Sequence, residues 1–151
     1  MKLSSKSLYA VRAMFDMAYH GTGAPSKIED IARRQSVPPR FLEQIFQDLK
    51  RASLVHSKRG PRGGYILKRD PDTISIGDIV RAVEGPIEDG LCHKASDVEL
   101  NPGLCVTAKL WKELAERIDE VLSEVSLQDL IARGEEQGVE REGYNEFVYV
   151  I

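Results

Sequence analysis

The sequence predicts a mainly α-helical fold with one small β-hairpin. Three observations support this prediction: apolar residues recur at helical spacing, capping residues precede several of these runs, and residues 54–68 contain two short strand patterns around a glycine-rich turn. With 151 residues and 42% hydrophobic composition, the chain can bury one good core and carry an extension.

Two helices are predicted at the start of the chain. The first covers residues 5–19, with Ser4 or Ser5 to cap its free amides and glycines at 21 and 23 to end it. Residues 26–29, with the sequence SKIE, fit a capping box, in which a serine hydroxyl and a glutamate carboxylate each satisfy a backbone amide. A short second helix to about Arg34 follows.

A turn at residues 35–38 leads to a third helix over residues 39–52, because proline suits the first helical turn. Its apolar residues fall at i, i+3, i+4 and i+7 and form one face, namely Leu42, Ile45, Phe46 and Leu49. Short strands at 54–58 and 65–68 then flank the turn. This order of elements predicts a winged helix-turn-helix, in which the third helix occupies the major groove of DNA and the hairpin tip lies on the adjacent backbone or minor groove.

Further helices are predicted after the hairpin. A capping box at residues 75–78 starts a helix to about Val83, residues 87–104 read as a loop, and a long amphipathic helix starts near Val106. Its apolar seam consists of Trp111, Leu114, Ile118, Val121 and Val125. We expect this helix to form a dimer, since its seam would otherwise be exposed; packing against its own domain is the alternative. A shorter helix follows from Ser126 to about Gly134.

The charge distribution divides the chain. Residues 1–70 carry 14 Lys and Arg against 6 Asp and Glu, a net charge of +8, whereas residues 71–151 carry 7 against 18, a net charge of −11. Such asymmetry favours a polyanionic partner for the basic half, although a solvated basic face is the ordinary alternative. We expect a cytoplasmic protein, because the sequence contains no signal-like or membrane-spanning apolar run.

Enzyme motifs are weak. The RGPRGG sequence at residues 59–64 has the glycine content of a phosphate loop but lacks the Lys-Ser/Thr pair that opens the following helix in a Walker sequence. The three histidines lie in separate segments without metalloprotease spacing. The chain is therefore predicted not to be an enzyme, and an adaptor without DNA affinity is the better rival to a DNA-binding protein.

Four blocks of sequence, in order, resemble the Rrf-two family of bacterial winged-helix transcription factors: LSSKSLYAVRAM at 3–14, FLEQIFQDLKRASLV at 41–55, RGPRGGYIL at 59–67 and IGDIVRAVEGPI at 76–87. The resemblance covers nearly the whole chain. It implies a homodimer that binds a roughly palindromic operator on double-stranded DNA, usually as a repressor, with no role for a membrane.

The resemblance also assigns DNA-binding residues by position. The recognition helix is residues 39–52, and its exposed start carries Arg40, Phe41, Glu43 and Gln44. Arginine can reach phosphate or guanine, glutamine can pair with adenine, and glutamate can accept from cytosine while repelling phosphate. The wing tip consists of Arg59, Gly60, Pro61, Arg62 and Gly63, and its arginines should supply affinity that tolerates sequence.

The two cysteines, Cys92 and Cys105, permit a reversible disulfide, two unrelated thiols or part of a metal site. Cluster-binding members of the family use three cysteines here, and this chain matches the first and last of them. A [2Fe–2S] cluster wants about four ligands, so it would need mixed ligation, and His93 is the best candidate for a third ligand. Iron–sulfur binding, thiol redox sensing and the absence of any sensory role all remain open.

The family's cysteine-metabolism branch offers an alternative. It lacks the cluster cysteines and is controlled by a complex with cysteine synthase. The VEGPI and C-terminal EFVYVI sequences of this chain resemble that branch. The apolar FVYVI terminus could dock within a dimer or in another protein's pocket, including that of cysteine synthase.

The sequence therefore predicts four regions: a winged helix-turn-helix domain at 1–85, a sensory cysteine loop at 86–105, dimerisation helices at 106–134 and a C-terminal tail at 135–151. Together they predict a homodimeric transcriptional regulator whose operator affinity is tuned at the Cys92/Cys105 loop by a cluster or by thiol redox state.

Overall fold

A computed structural model describes residues 3–91 and 102–142. It confirms a mainly α-helical fold with one antiparallel β-hairpin, in which Val55 pairs with Leu67 and Lys58 pairs with Gly64. The helices and strands are α1 (Ser5–Gly21), α2 (Ile28–Gln35), α3 (Pro39–Arg51), β1 (Val55–Lys58), β2 (Gly64–Leu67), α4 (Ile76–Glu84), α5 (Ile87–Leu91), α6 (Pro102–Glu124) and α7 (Leu127–Glu136). None of these helices is long and apolar enough to span a bilayer.

Side-chain caps start three of the helices, and the sequence predicted those of α1 and α4. Ser4 Oγ accepts the backbone N–H of Ser7 at the start of α1. Full capping boxes start α4 at Ser75 and α7 at Ser126. In each, the serine Oγ accepts the N–H of an aspartate three residues later, and that aspartate's carboxylate accepts the serine N–H. These caps fix the helix starts because they satisfy amides that have no partner within the helix.

The capping box predicted at residues 26–29 is wrong. The backbone of Ser26 instead pairs with Tyr65 of β2, with its N–H donating at 2.9 Å and its C=O accepting at 2.8 Å. Lys27 therefore becomes the residue before α2, and it makes no side-chain capping bond. A Cβ on Gly64 would lie 2.4 Å from the Ser26 carbonyl oxygen, so glycine permits this close backbone pairing.

The core lies between α1, α3, α4 and the inner side of the hairpin. The four residues of the apolar face of α3 are all fully buried, which confirms the predicted face. The ring of Phe46 packs on Tyr65 of β2 with centroids 4.6 Å apart. The recognition helix and the hairpin are thus held together by the core beneath them.

The last helix, α7, returns to this same core. Leu127 is fully buried in it, and its N–H donates to the Ile74 carbonyl at 2.8 Å. The Ile76 N–H donates to the Val125 carbonyl, also at 2.8 Å. Residues 127–136 therefore pack on the winged domain, although the predicted division into four regions remains a prediction.

The predicted loop at residues 87–104 is wrong at both of its described ends. Ile87–Leu91 form α5, and α6 starts at Pro102, four residues earlier than predicted, because proline fits the first turn of a helix. α5 packs against α6. Cys105 consequently lies in the first turn of α6, whereas Cys92 and His93 lie outside the described residues.

α6 has one covered side and one open side. Ala115 is buried, and α6 packs on α4 and α5 around it. Five large apolar side chains are exposed beside this contact and are called here the α6 stripe: Val106, Leu110, Trp111, Leu114 and Val121. Packing against the chain's own domain thus covers only part of the helix within residues 102–124.

Candidate nucleic-acid interface

The outer face of α3 is polar along its length. Arg40, Glu43, Gln44 and Gln47 are all exposed, while the opposite face of the same helix is in the core. This arrangement follows from the helical period, which places the apolar and polar residues on opposite sides. The structure therefore brings three of the four predicted recognition residues to one accessible surface.

Phe41 differs from the other three. Its side chain is half-buried, and its ring meets Tyr9 of α1 edge-on, with centroids 5.5 Å apart and planes at 90°. Such an aromatic contact fixes the start of α3 on α1. A direct contact of Phe41 with DNA remains a prediction.

The hairpin tip is a tight turn that presents two arginines. The Gly63 N–H donates to the Gly60 carbonyl at 2.9 Å, and Pro61 occupies the second position of this turn, which favours proline. A Cβ on Gly63 would lie 2.3 Å from the Lys58 carbonyl oxygen, so the tip requires glycine there. Arg59 precedes the turn and Arg62 occupies its third position, and both are exposed.

A hydrogen bond ties the outer end of α3 to the hairpin. Lys50 Nζ donates to Ser57 Oγ at 2.9 Å, in addition to the stacking of Phe46 on Tyr65. Sequence reasoning did not single out this pair, since residues seven apart on different elements leave no periodic signal. The contact helps to set the position of the tip relative to the exposed face of α3.

The electrostatics of this surface are positive. Asp48 is flanked by Lys6 Nζ at 2.6 Å and by Arg51 Nη1 at 3.0 Å, so its charge is compensated locally. Exposed Lys27, Lys58 and Lys68 add positive charge beside the hairpin. Clustered cations of this kind are what contact with a phosphate backbone requires.

On the other side of the domain, Arg81 joins α4 to α6. Its guanidinium hydrogen-bonds to Asp119 of α6 and to Asp78 of α4, the latter at 3.0 Å. Burial would raise the pKa of Asp78, but the hydrogen bonds from Ser75 and Arg81 outweigh it and lower that pKa below its ordinary value. This ion pair anchors α6 on the winged domain.

The predicted metal ligands are only partly placed. Cys105 is exposed on the first turn of α6, and Leu91, which directly precedes Cys92, ends the helix that packs on α6. Within residues 3–91 and 102–142, no three His, Cys, Asp or Glu side chains are grouped to hold a metal. A complete site would therefore need ligands from residues 92–101 or from a second subunit.

Comparison with known proteins identifies the same architecture. The profile of the Rrf2 family, described as an iron-dependent transcriptional regulator, matches residues 3–133. The HTH-type transcriptional regulator IscR of Vibrio vulnificus strain YJ016 is 41% identical over 135 residues, which cover 89% of this chain and 80% of that protein.

Solved structures agree with this assignment. The structure of T. potens IscR superposes with a TM-score of 0.73 at 38% identity and covers 93% of both chains. CymR (YrzC), the global cysteine regulator of B. subtilis, superposes with a TM-score of 0.72 at 33% identity and covers 88% of this chain and 98% of that one. The fold is thus shared equally well with both regulators, while the sequence is more similar to the IscR proteins.

Proposed function

The chain belongs to the Rrf2 family and is a DNA-binding transcriptional regulator, and we propose that it acts as a homodimeric repressor on a roughly palindromic operator. One observation carries the DNA-binding mode: the polar face of α3 and the basic hairpin tip are both exposed and are joined by the Phe46–Tyr65 and Lys50–Ser57 contacts. α3 enters the major groove, and the tip lies on the neighbouring backbone or minor groove.

The exposed residues have distinct roles in this proposal. Arg40 contacts phosphate or a guanine edge, Gln44 pairs with adenine, and Glu43 discriminates by accepting from cytosine. The tip, with Arg59 and Arg62, adds affinity that depends little on sequence, because its contacts are to phosphates. Gly60, Pro61 and Gly63 shape the turn that holds these arginines against the duplex.

The α6 stripe supplies the dimer contact. A row of exposed apolar side chains on one helix is costly in water and is covered when two copies pack together. In the dimer, two α3 helices must lie about 34 Å apart to enter successive major grooves. Any change at the base of α6 therefore affects the fit of both recognition helices at once.

Regulation is proposed at Cys92, His93 and Cys105, as ligands of a [2Fe–2S] cluster. Two thiolates and one imidazole supply three of about four ligands, and the exposed thiol of Cys105 fits such a role. A bound cluster would supply sensitivity to oxidants and to iron availability. Because Cys105 lies in the first turn of α6, ligation of its thiol would affect the start of the helix that carries the α6 stripe.

Two alternatives to a cluster are a thiol–disulfide switch and control by cysteine synthase. A thiol–disulfide switch between Cys92 and Cys105 uses the same residues and is an outcome of the spectroscopic test below. Control by cysteine synthase is not favoured, because several IscR proteins are about 40% identical to this chain, and no comparison indicates that enzyme as a partner.

DNA binding is tested with a duplex selected by the wild-type protein from a random library. Replacing both Arg59 and Arg62 with alanine should weaken binding to all sequences. It should also reduce the slope of log affinity against log salt concentration by the amount that about two phosphate contacts contribute. Gln44→Ala should instead relax specificity at one base pair, worth about 1–3 kcal/mol. Fluorescence anisotropy across a salt series measures both effects, and a wild-type protein that selects no duplex contradicts the proposal.

The cluster is tested by anaerobic purification and a visible absorption spectrum. A cluster gives charge-transfer bands, whereas a pair of thiols gives none. Cys92→Ser and Cys105→Ser should each abolish the bands, and His93→Ala should shift them. Bands that persist in the double cysteine variant would show that the ligands are assigned incorrectly.

A further inference from the structure

Residues 139–142 follow α7 and cross back over α1 and α2; this segment is called here the strap. Tyr19 Oη donates to the Val139 carbonyl at 2.7 Å, and the Arg141 guanidinium lies over the Tyr19 ring at 4.7 Å from its centroid. The Glu142 N–H donates to His20 Nδ1 at 3.0 Å. The strap is therefore held on the end of α1 by backbone, aromatic and side-chain contacts.

Glu142 reaches from the strap to the end of α2. Its two carboxylate oxygens accept from Arg33 Nη1 and Nη2 at 2.9 and 2.7 Å, and one of them also accepts from Arg34 Nη1 at 3.1 Å. The hydrogen bonds from Arg33, followed by those from Arg34, lower the pKa of Glu142 to about 2. The carboxylate is thus charged at neutral pH and shared between two adjacent arginines.

Arg34 in turn binds a buried carboxylate. Its Nη2 lies 2.6 Å from Asp16 Oδ2 of α1, and Asp16 is fully buried. Gln35 Nε2 donates to the other oxygen of Asp16 at 2.9 Å. Burial opposes the charge on Arg34, but its hydrogen bonds to Asp16 and Glu142 outweigh this and raise its pKa. Arg34 therefore lies between one carboxylate on α1 and another on the strap.

This chain of charges adds to the apolar contacts that hold α2 on the core. The helix has eight residues, of which Ile31 and Ala32 are buried. In a helix-turn-helix the helix before the recognition helix crosses the DNA backbone and sets how the recognition helix enters the groove. Contacts that fix the C-terminal end of α2, which leads into α3, therefore affect DNA binding without touching DNA.

We propose, on the premise of the DNA-binding function above, that Glu142 is a positioning residue for operator binding. It clamps Arg33 and Arg34 so that the strap, α1 and α2 move as one unit, and α3 is presented at a fixed angle. The region that follows α7 is thereby coupled to the helix-turn-helix, although it lies outside the predicted recognition surface.

A pair of charge reversals tests the proposal. Glu142→Lys and Glu140→Lys each replace one negative charge of the strap by one positive charge, and Glu140 is exposed. General attraction to DNA would tighten binding in both variants. Positioning predicts opposite signs: Glu140→Lys should bind the selected duplex at least as tightly as wild type, whereas Glu142→Lys should bind about fivefold more weakly.

Hydrogen exchange supplies the second readout. The backbone amides of α2 should exchange faster in Glu142→Lys than in wild type, and at the wild-type rate in Glu140→Lys. The exchange rates of the α4 amides should stay as in wild type in both variants. If Glu142→Lys does not fold, Glu142→Gln replaces it, with the same signs expected and a smaller loss. Equal binding by the 142 and 140 variants overturns the positioning role. A wild-type protein that binds no duplex overturns the DNA-binding function itself, so the two failures are distinguishable.

Discussion

α3 and α6 have the same helical period of apolar residues but opposite burial. The four core-facing apolar residues of α3 are 0% exposed, whereas Val106 of α6 is 78% exposed, Val121 is 61% exposed and Leu110 is 57% exposed. The apolar face of α3 is covered by α1, α2, α4 and β1, while among the described residues α4 and α5 cover one side of α6. Periodicity thus identifies an apolar face, and the neighbouring elements decide whether the same chain covers it.

The largest expected effect is the loss of stability when the buried face of α3 is changed. Phe46→Ala removes a fully buried ring that packs on Tyr65, so the free energy of unfolding should fall by about 3–5 kcal/mol. Gln47→Ala, at the adjacent exposed position, should change it by about 0.5 kcal/mol or less. Urea unfolding followed by circular dichroism measures both, and similar losses in the two variants would contradict the assigned burial.

A smaller effect, on dimerisation, is expected when the exposed α6 stripe is changed. Leu110→Lys should leave the helical content unchanged and weaken dimerisation by about tenfold or more, because it places a charge in the proposed dimer contact. Glu116→Lys, on another side of α6, is the matched control and should leave the dimer intact. Sedimentation equilibrium distinguishes them. Equal self-association in both variants would place the dimer contact elsewhere.

The smallest effect concerns a third region, the strap, which is held by hydrogen bonds, an aromatic contact and ion pairs. The folded pKa of Glu142 lies at about 2, below its ordinary value of 4.5. Its stabilising contribution is therefore complete above about pH 4.5 and is lost as the pH falls towards 2. An NMR titration of the Glu142 carboxyl group should show a midpoint near 2. A midpoint near 4.5 would mean that the pairs with Arg33 and Arg34 do not form in solution.

Local signals predicted the elements well where local contacts decide them. The capping box at residues 75–78 and the helix start at Ser126 are confirmed because the hydrogen bonds that fix them lie within one turn. The same kind of signal failed at Ser26, since a distant residue, Tyr65, pairs with its backbone. The predicted loop at 87–104 failed for a related reason: α5 is short and packs on α6, a contact that composition does not show.

The candidate interface was predicted in part. Arg40, Glu43 and Gln44 were expected on the outer face of α3 and are exposed there, while Phe41 packs on Tyr9. The Lys50–Ser57 bond and the chain of charges through Asp16, Arg34 and Glu142 left no sequence signal. Their members come from separate elements, and only folding brings them within hydrogen-bond distance.

Residue type and spacing predicted most of the helical segments, the apolar face of α3 and the basic character of the first half of the chain. These properties follow from residue type and spacing within a few turns. Three features came only from the folded chain: α7 completes the core of the winged domain, the α6 stripe stays exposed, and Glu142 lies on α2. Those outcomes depend on contacts between residues far apart in the chain, such as Arg33 and Glu142, which are 109 positions apart, and no local pattern encodes them.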